Sequence, residues 1–404
     1  MSKRRNGEAS IFPYRNGYAA YAWVTTPDGD RKRKWVYGKT HDEVHEKWIK
    51  LQTRAREGPM PTTTPTLASY LAYWLREVVD PNLAPKTSEK YALLTRLYLV
   101  PGLGTKRLDR LQVRDVRTWL NKLRSTCQCC AQGKDAGRPL ERRRCCAIGS
   151  CCHQVIADRT IKDVRDTLRA ALANAVAEEL ITRNAAAVVR FPTSRKRQRQ
   201  SWSADEARKF LESARRDNDP LYAAYVLVLV LGLRRGEALG LTWPDVHFDT
   251  MEVHIQWQLQ RAGHELRHRE TKTSSSTAVL PLPDICITAL KLRAERQAAD
   301  HDQAGDAWRH SDFVFTSTYG TPYEPRNFNR QFAIRCRKAE VRYIRVHDTR
   351  RTCASLLVAL DVHPRVAMQI LRHSQIAMTM EVYSEVPSAK TRSALKRLGR
   401  QLDG

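Results

Sequence analysis

No apolar run in this 404-residue chain reaches the length of a membrane span, so no transmembrane anchor is expected. Met1-Ser2-Lys3-Arg4-Arg5 is basic, but no apolar segment follows it, and no secretory signal peptide is expected. There is no Gly-rich P-loop, so nothing marks a bound nucleoside triphosphate. Acidic residues are also short: 43 Asp and Glu face 69 Lys and Arg. The formal net charge is +26 and the isoelectric point about 10.0. An excess of that size and sign draws a chain to a polyanion, and duplex DNA is the obvious one. A cytoplasmic protein acting on the chromosome is the expectation. The hydrophobic fraction, 42%, suffices for ordinary cores, and the length allows two or three domains.

The first sixty residues read as a small module. Ser10 to Arg15, Tyr18 to Thr25 and Arg31 to Tyr37 have the pattern of short strands. Asn16-Gly17 and Pro27-Asp28-Gly29 supply the turns. Thr40-His41-Asp42-Glu43 is a capping box, and the helix behind it carries Val44, Trp48 and Leu51 on one face, fit to cover the sheet. Arg31, Lys32, Arg33 and Lys34 fall in one strand, so cations point from both faces. The uncovered face would offer them to phosphate or to a groove.

After a Pro/Thr linker, Gly58 to Pro65, the period changes to that of helices. Leu67, Tyr70, Leu71, Trp74, Leu75 and Val78 form a wide apolar stripe. Tyr91, Leu94 and Tyr98 mark a second helix, which Gly102-Leu103-Gly104 should break. Val113, Val116, Leu120 and Leu123 mark a third, and Ile161, Val164, Leu168, Leu172 and Val176 a long fourth. Lys86 and Lys90 sit at helix ends and turns. Seven cysteines crowd between Cys127 and Cys152, with His153 next. Cys127-x-x-Cys130 has metal-ligand spacing, and Cys146 and Cys151 complete a tetrahedral thiolate set for a structural zinc. A reducing cytosol argues against disulfides there. Arg195-Lys196-Arg197, within Phe191 to Ser201, reads as a basic tether that neutralises phosphates along its path.

The C-terminal half holds the chemistry. Tyr222 to Val230 is strongly apolar and must be buried. It leads into Gly232-Leu233-Arg234-Arg235-Gly236-Glu237, which sets a guanidinium beside a carboxylate at the edge of the core. Strand pattern covers Met251 to Gln258 and Thr277 to Leu282. Lys272 lies before the second of these, at a hairpin tip, where it can reach a ligand and donate a proton. His347 and Arg350 are three apart at the start of an expected helix, Asp348 to Leu360. A helix N-terminus suits a phosphate. His373 follows, then Tyr383 at the end of a short amphipathic segment. Tyr is a weak nucleophile unless its attack is assisted and the phosphorus polarised. Arginines and histidines can do this without a metal.

Arg234, Lys272, His347-x-x-Arg350, His373 and Tyr383, in this order, resemble the active site of the tyrosine recombinases, also called the phage integrase family. The likeness spans residues 200 to 390. The family pattern of Gly, any residue, Arg, two residues and an acid selects Arg234 over Arg235. Arg372 stands where a Gly usually precedes the His. The chain accommodates it if that turn needs no positive φ.

The N-terminal sheet and helix resemble the family's arm-type DNA-binding domain, and the helical bundle its core-binding domain. The resemblance therefore implies a multidomain, mainly α fold in three parts. Residues 1–60 would be the arm-type module, 65–190 the core-binding bundle with a Cys-rich insertion at 127–153, and 200–404 a mostly helical catalytic domain with a small β-sheet. It implies cleavage and rejoining of DNA through a 3′-phosphotyrosine on Tyr383, with no metal or nucleotide for catalysis. The implied partners are double-stranded attachment sites, further copies of the chain as a tetramer on DNA, and a directionality factor. An integrase of a phage or integrative element is the expectation. Its rivals are a DNA-binding regulator with a decayed catalytic domain and a type IB topoisomerase-like enzyme.

Overall fold

In the computed structural model the chain folds as two units, Met1–Arg195 and Lys196–Gly404. The residues described are 11–26, 29–58, 64–190, 200–271, 277–372 and 375–383. The fold is multidomain and mainly α, with small antiparallel sheets. No helix among the described residues is long and apolar enough to cross a membrane.

The first unit begins with strands β1 (Phe12–Tyr14), β2 (Gly17–Thr25) and β3 (Arg31–Gly38), paired antiparallel in that order, and helix α1 (His41–Glu57). The Thr40 hydroxyl accepts the Glu43 N–H at 3.2 Å and starts α1. Side chains alternate across a strand, so Ala20, Ala22 and Val24 of β2 face α1 and bury Val44, Trp48 and Leu51. The indole of Trp48 donates to the Tyr21 carbonyl at 3.0 Å and locks helix to sheet.

A helical bundle follows. The helix Leu67–Tyr73 runs on through the wider turns of Trp74–Val79. Pro85–Leu94 continues through Thr95–Leu99 into Val100–Leu103. The expected break at Gly102-Leu103-Gly104 falls only at Gly104, because Gly102 is needed inside the helix. A Cβ there would lie 1.9 Å from the indole nitrogen of Trp119. Val113–Ser125 and Asp158–Ala177 complete the bundle, and their apolar stripes bury Val116, Leu120, Ile161, Leu168 and Leu172 with Leu67, Leu71 and Leu99.

The second unit is built on Tyr222–Val230, whose residues Ala223 to Leu229 are all buried. Its Tyr225 packs in an aromatic cluster with Trp202, Phe210, Phe328 and Phe332. Sequence alternation runs unbroken from Met251 to Gln258, but the chain changes partners at Gln256. Glu252–Ile255 pairs with Ala278–Pro281, whereas Trp257–Ala262 forms its own hairpin with Glu265–Glu270. Gly263, at φ +55°, makes that turn. Helices Thr349–Ala359, Pro364–Leu371 and Ile376–Tyr383 close the described part of the unit.

Candidate phosphate site and nucleic-acid surfaces

Three arginines gather around one buried carboxylate in the second unit. The loop after Tyr222–Val230 turns at Gly232, with φ +58°, where a Cβ would lie 2.8 Å from Leu371 and 3.3 Å from the Cys353 sulfur. Only glycine fits both the backbone and the space. The Gly232 carbonyl accepts a 2.8 Å hydrogen bond from Arg350. Two residues on, Arg234 opens the short helix Arg235–Leu239. Glu237 accepts from the Arg234 backbone N–H at 2.9 Å and from its guanidinium at 2.5 Å. Arg235 turns elsewhere, toward the Pro325 carbonyl at 3.4 Å. The two adjacent arginines thus face different parts of the unit.

Arg372 is the third cation, and here the structure departs from expectation. The turn does require a positive φ: Arg372 ends helix Pro364–Leu371 in the left-handed region, at φ 51° and ψ 50°. Left-handed backbone costs a non-glycine residue roughly 1–2 kcal/mol. The side chain offsets this by going inward, only 1% exposed. It donates to Glu237 at 2.8 Å and to the Ile370 carbonyl at 2.9 Å. Its own carbonyl accepts from Arg234 at 3.4 Å. The sequence shows Arg372 as a departure but not that it joins the site. The signal was weak: a long cation just after an apolar helix can turn in or out.

The electrostatics follow from the count of charges. Burial alone would raise the Glu237 carboxyl, but Arg372 and Arg234 hold it below its ordinary range. Burial, then the charges of Arg234 and Arg372, push the Arg350 guanidinium well below its usual value. Arg350 is 5% exposed. One of its terminal nitrogens is buried with no hydrogen-bond partner among the described residues, as is the Arg372 Nε. Among the described residues one carboxylate, Glu237, faces three guanidiniums, an arrangement suited to receiving an anion. Arg234, 36% exposed along its side chain, remains open to solvent.

His347 lies in the turn Val346–Asp348, just before Arg350 on helix Thr349–Ala359, and is exposed. Tyr383 ends helix Ile376–Tyr383, and its hydroxyl donates to the Val362 carbonyl. Burial raises its pKa above the ordinary tyrosine value. Lys272 and His373 lie outside the described residues. The hydroxyls of Thr271 and Thr277, either side of the Lys272 segment, are 3.0 Å apart.

The basic strand β3 divides its cations between two faces. Lys32 and Lys34 oppose Val24 and Ala22, on the face covered by α1. Lys32 pairs with Asp30 at 3.0 Å. Lys34 is half-buried, and burial and the nearby Arg54 lower its pKa. Arg31 and Arg33 share the open face with aromatic rings that the sequence reading passed over. Arg33 lies 4.9 Å from the ring centroids of both Tyr21 and Trp23, and Arg31 5.9 Å from Trp23. Trp35 and Tyr37 extend that exposed face. In the bundle, Lys86 is exposed and Lys90 pairs with Asp163 at 3.0 Å. Arg195, Lys196 and Arg197 lie outside the described residues.

The Cys-rich insertion brings its thiols together. The Sγ atoms of Cys127, Cys130, Cys146 and Cys151 all lie within 4.8 Å of one another.

Known proteins resemble this chain in sequence and fold. The profile of the phage integrase family matches residues 200–389, and that of the phage integrase N-terminal SAM-like domain residues 66–124. An integrase of Saccharopolyspora erythraea is 22% identical over 96% of this chain and 95% of its own length. A XerC-like tyrosine recombinase of Caldanaerobacter subterraneus subsp. tengcongensis is 25% identical, over 93% and 95%. Among solved structures, the Tn1549 transposon integrase in complex with a circular intermediate DNA aligns with a TM-score of 0.64 at 19% identity, over 83% of this chain and 100% of that one. A lambda integrase dimer bound to a core site aligns at 0.51 and 18%, over 94% and 96%.

Proposed function

The chain belongs to the phage integrase family, the tyrosine recombinases, and from that premise we propose that Tyr383 is its nucleophile and that Arg234 and Arg350 grip the scissile phosphate. It is a site-specific recombinase of a mobile element, cleaving and rejoining DNA strands. The observation that carries the residue assignment is the gathering of Arg234, Arg350 and Arg372 around the single buried carboxylate of Glu237.

The Tyr383 oxygen attacks the phosphorus in line, forming the P–O(Tyr) bond as the P–O5′ bond breaks. A 3′-phosphotyrosine and a free 5′-hydroxyl result. Arg234 and Arg350 present planar forks to the non-bridging oxygens, offsetting charge as the phosphorane forms. His347 takes the phenolic proton, Lys272 gives one to the leaving 5′ oxygen, and His373 donates a hydrogen bond to a phosphate oxygen. The attacking hydroxyl must first leave the Val362 carbonyl. Each bond broken is replaced by one of similar energy, so the reverse attack by a 5′-hydroxyl rejoins DNA with no nucleotide consumed.

Residues 1–60 serve as the arm-type DNA-binding module, 65–190 as the core-binding domain and 200–404 as the catalytic domain. In the first, Arg31 and Arg33 contact DNA through the open sheet face, while Lys32 and Lys34 lie on the opposite face, covered by α1. Lys86 and Lys90 contact it from the bundle, and Arg195, Lys196 and Arg197 from the tether. Cys127, Cys130, Cys146 and Cys151 hold a structural zinc that takes no part in catalysis. Lambda integrase has been solved as a tetramer on a Holliday junction; a tetramer on DNA is the working assembly here too, with a directionality factor as a further partner and the nucleoid as its place of action.

A suicide substrate nicked near the crossover tests the reading. It would carry sites from the ends of the encoding element. The expected result is a denaturation-resistant protein–DNA adduct that forms in chelator and is absent from Tyr383→Phe, with DNA binding retained. An adduct formed by Tyr383→Phe would overturn the nucleophile. Binding without any adduct would point to a DNA-binding regulator.

A further inference from the structure

We infer that the Cys-rich insertion binds two zinc ions, bridged by the Cys146 thiolate. The inference rests on the single-zinc reading above and extends it. Seven cysteines lie between 127 and 152, and one tetrahedral site uses four. The three left over are not scattered. Cys129, Cys145 and Cys152 form a second set with Cys146, again with every sulfur within 4.8 Å of the others. The two sets share Cys146 alone and together use all seven thiols.

The spacings suit zinc. A zinc–sulfur distance of about 2.3 Å in a tetrahedron places sulfur atoms about 3.8 Å apart. Cys127 to Cys146 is 3.8 Å and Cys130 to Cys151 is 3.7 Å in the first set. Cys129 to Cys145 and Cys146 to Cys152 are each 3.7 Å in the second. All seven are free thiols, and these separations are far longer than an S–S bond. An odd number could not all pair as disulfides in any case.

The backbone explains how adjacent cysteines serve different ions. Asp135, completely buried, accepts N–H bonds from Arg144 at 3.2 Å, Cys145 at 3.0 Å and Ala147 at 3.1 Å, and from the Arg138 guanidinium at 2.9 Å. This clamp fixes the Cys145-Cys146 step. Cys145 is thereby directed to Cys129, while Cys146 lies between Cys127 and Cys152. Two zinc ions on seven thiolates remain net negative. Arg138 and Arg143 brace the same loop, Arg143 through the carbonyls of Arg138 and Ala136, and supply compensating charge.

The insertion has little else to hold it. Leu140 and Ile148 are exposed, and Cys129 is its one buried apolar side chain among the described residues. A segment with so little apolar burial needs a covalent or metal staple to keep one structure.

Elemental analysis of the full chain, purified without a metal-binding tag or chelator, separates the outcomes. Two zinc per chain, with no iron, is expected. One zinc per chain overturns the bridged pair and leaves the single-site reading standing. No zinc overturns both, and iron in its place overturns the metal assigned. Cys152→Ser should halve the zinc content, and Cys130→Ser should also halve it, by emptying the other site. Should either variant not fold, the unmutated chain loaded with cadmium-113 decides the bridge. Two resonances split by mutual coupling through a shared sulfur are expected; two unsplit resonances overturn it.

Discussion

Arg33 on the open sheet face lies 4.9 Å from two ring centroids and keeps its charge in solvent. Arg350 is 5% exposed, held by the Gly232 carbonyl, with one nitrogen lacking a hydrogen-bond partner among the described residues and two like charges nearby. The same side chain is put to two uses. In water a guanidinium's attraction to phosphate is screened, and it can follow a backbone without choosing a position on it. In a dry pocket the attraction is far stronger and the donor is already aimed, but the fold must bear an unneutralised cation until the anion arrives. Glu237 is what makes that tolerable, and Arg372 is what it holds in exchange.

The largest effect should come from removing that carboxylate. Glu237→Gln leaves Arg372 buried without its charged partner, and breaking a buried pair costs about 3–5 kcal/mol. A fall in the thermal midpoint of the C-terminal unit, with far less change in the N-terminal unit, would register it. Acid should act the same way. Glu237 is held below its ordinary value, so its stabilisation is complete above about pH 4.5 and is lost as pH falls through the folded-state pKa. The Gln variant should lose that part of the acid sensitivity. Equal acid profiles for the two proteins would remove Glu237 from its place in the cluster.

Arg350→Lys comes next. A lysine supplies charge but neither the fork nor the contact with Gly232. The rate of adduct formation on the nicked substrate should drop by about 10²–10³, the usual cost of one preorganised donor, while DNA affinity changes little. Similar loss of affinity and rate would mean that Arg350 grips ground state and transition state alike.

Arg372→Gly sets two opposed terms against each other. Glycine relieves roughly 1–2 kcal/mol of left-handed backbone but removes a buried pair worth about 3–5 kcal/mol when broken. A net loss of about 2 kcal/mol is expected in denaturant unfolding. A more stable protein would mean that the charge–charge contact with Glu237 gives less than the turn costs.

How far the sequence discloses these two regions differs with the physics behind each. Periodicity carried the N-terminal module and the bundle, because half-buried strands and helices must alternate with period 2 or 3.6. Val44, Trp48 and Leu51 therefore fell where expected. The partner switch at Gln256 was invisible, since both hairpins share one alternation. The family resemblance linked Arg234 with Arg350, but nothing in the sequence showed that Arg372 turns inward, because that depends on a buried acid 135 residues away. The cysteine spacing led to the four proposed ligands; the second set needed the Asp135 clamp, which joins residues no linear motif connects.

The smallest effect is the one that tests whether the open face differs from charge alone. Arg33→Ala should weaken binding of an arm-type duplex modestly, by about one phosphate contact. The slope of log affinity against log salt should then become shallower by about 1. Lys32→Ala removes the same charge from the neighbouring position, but Lys32 faces the α1 side and already pairs with Asp30. Its salt slope should stay close to that of the unmutated chain. The rings of Tyr21 and Trp23 hold the Arg33 plane in place, a contact worth about 0.5–1 kcal/mol at an exposed site. Arg33→Lys should therefore retain the salt slope yet lose part of the affinity. If all three variants lowered affinity and slope equally, net charge would explain the N-terminal module, and the contrast between a placed and an unplaced cation would hold only in the C-terminal unit.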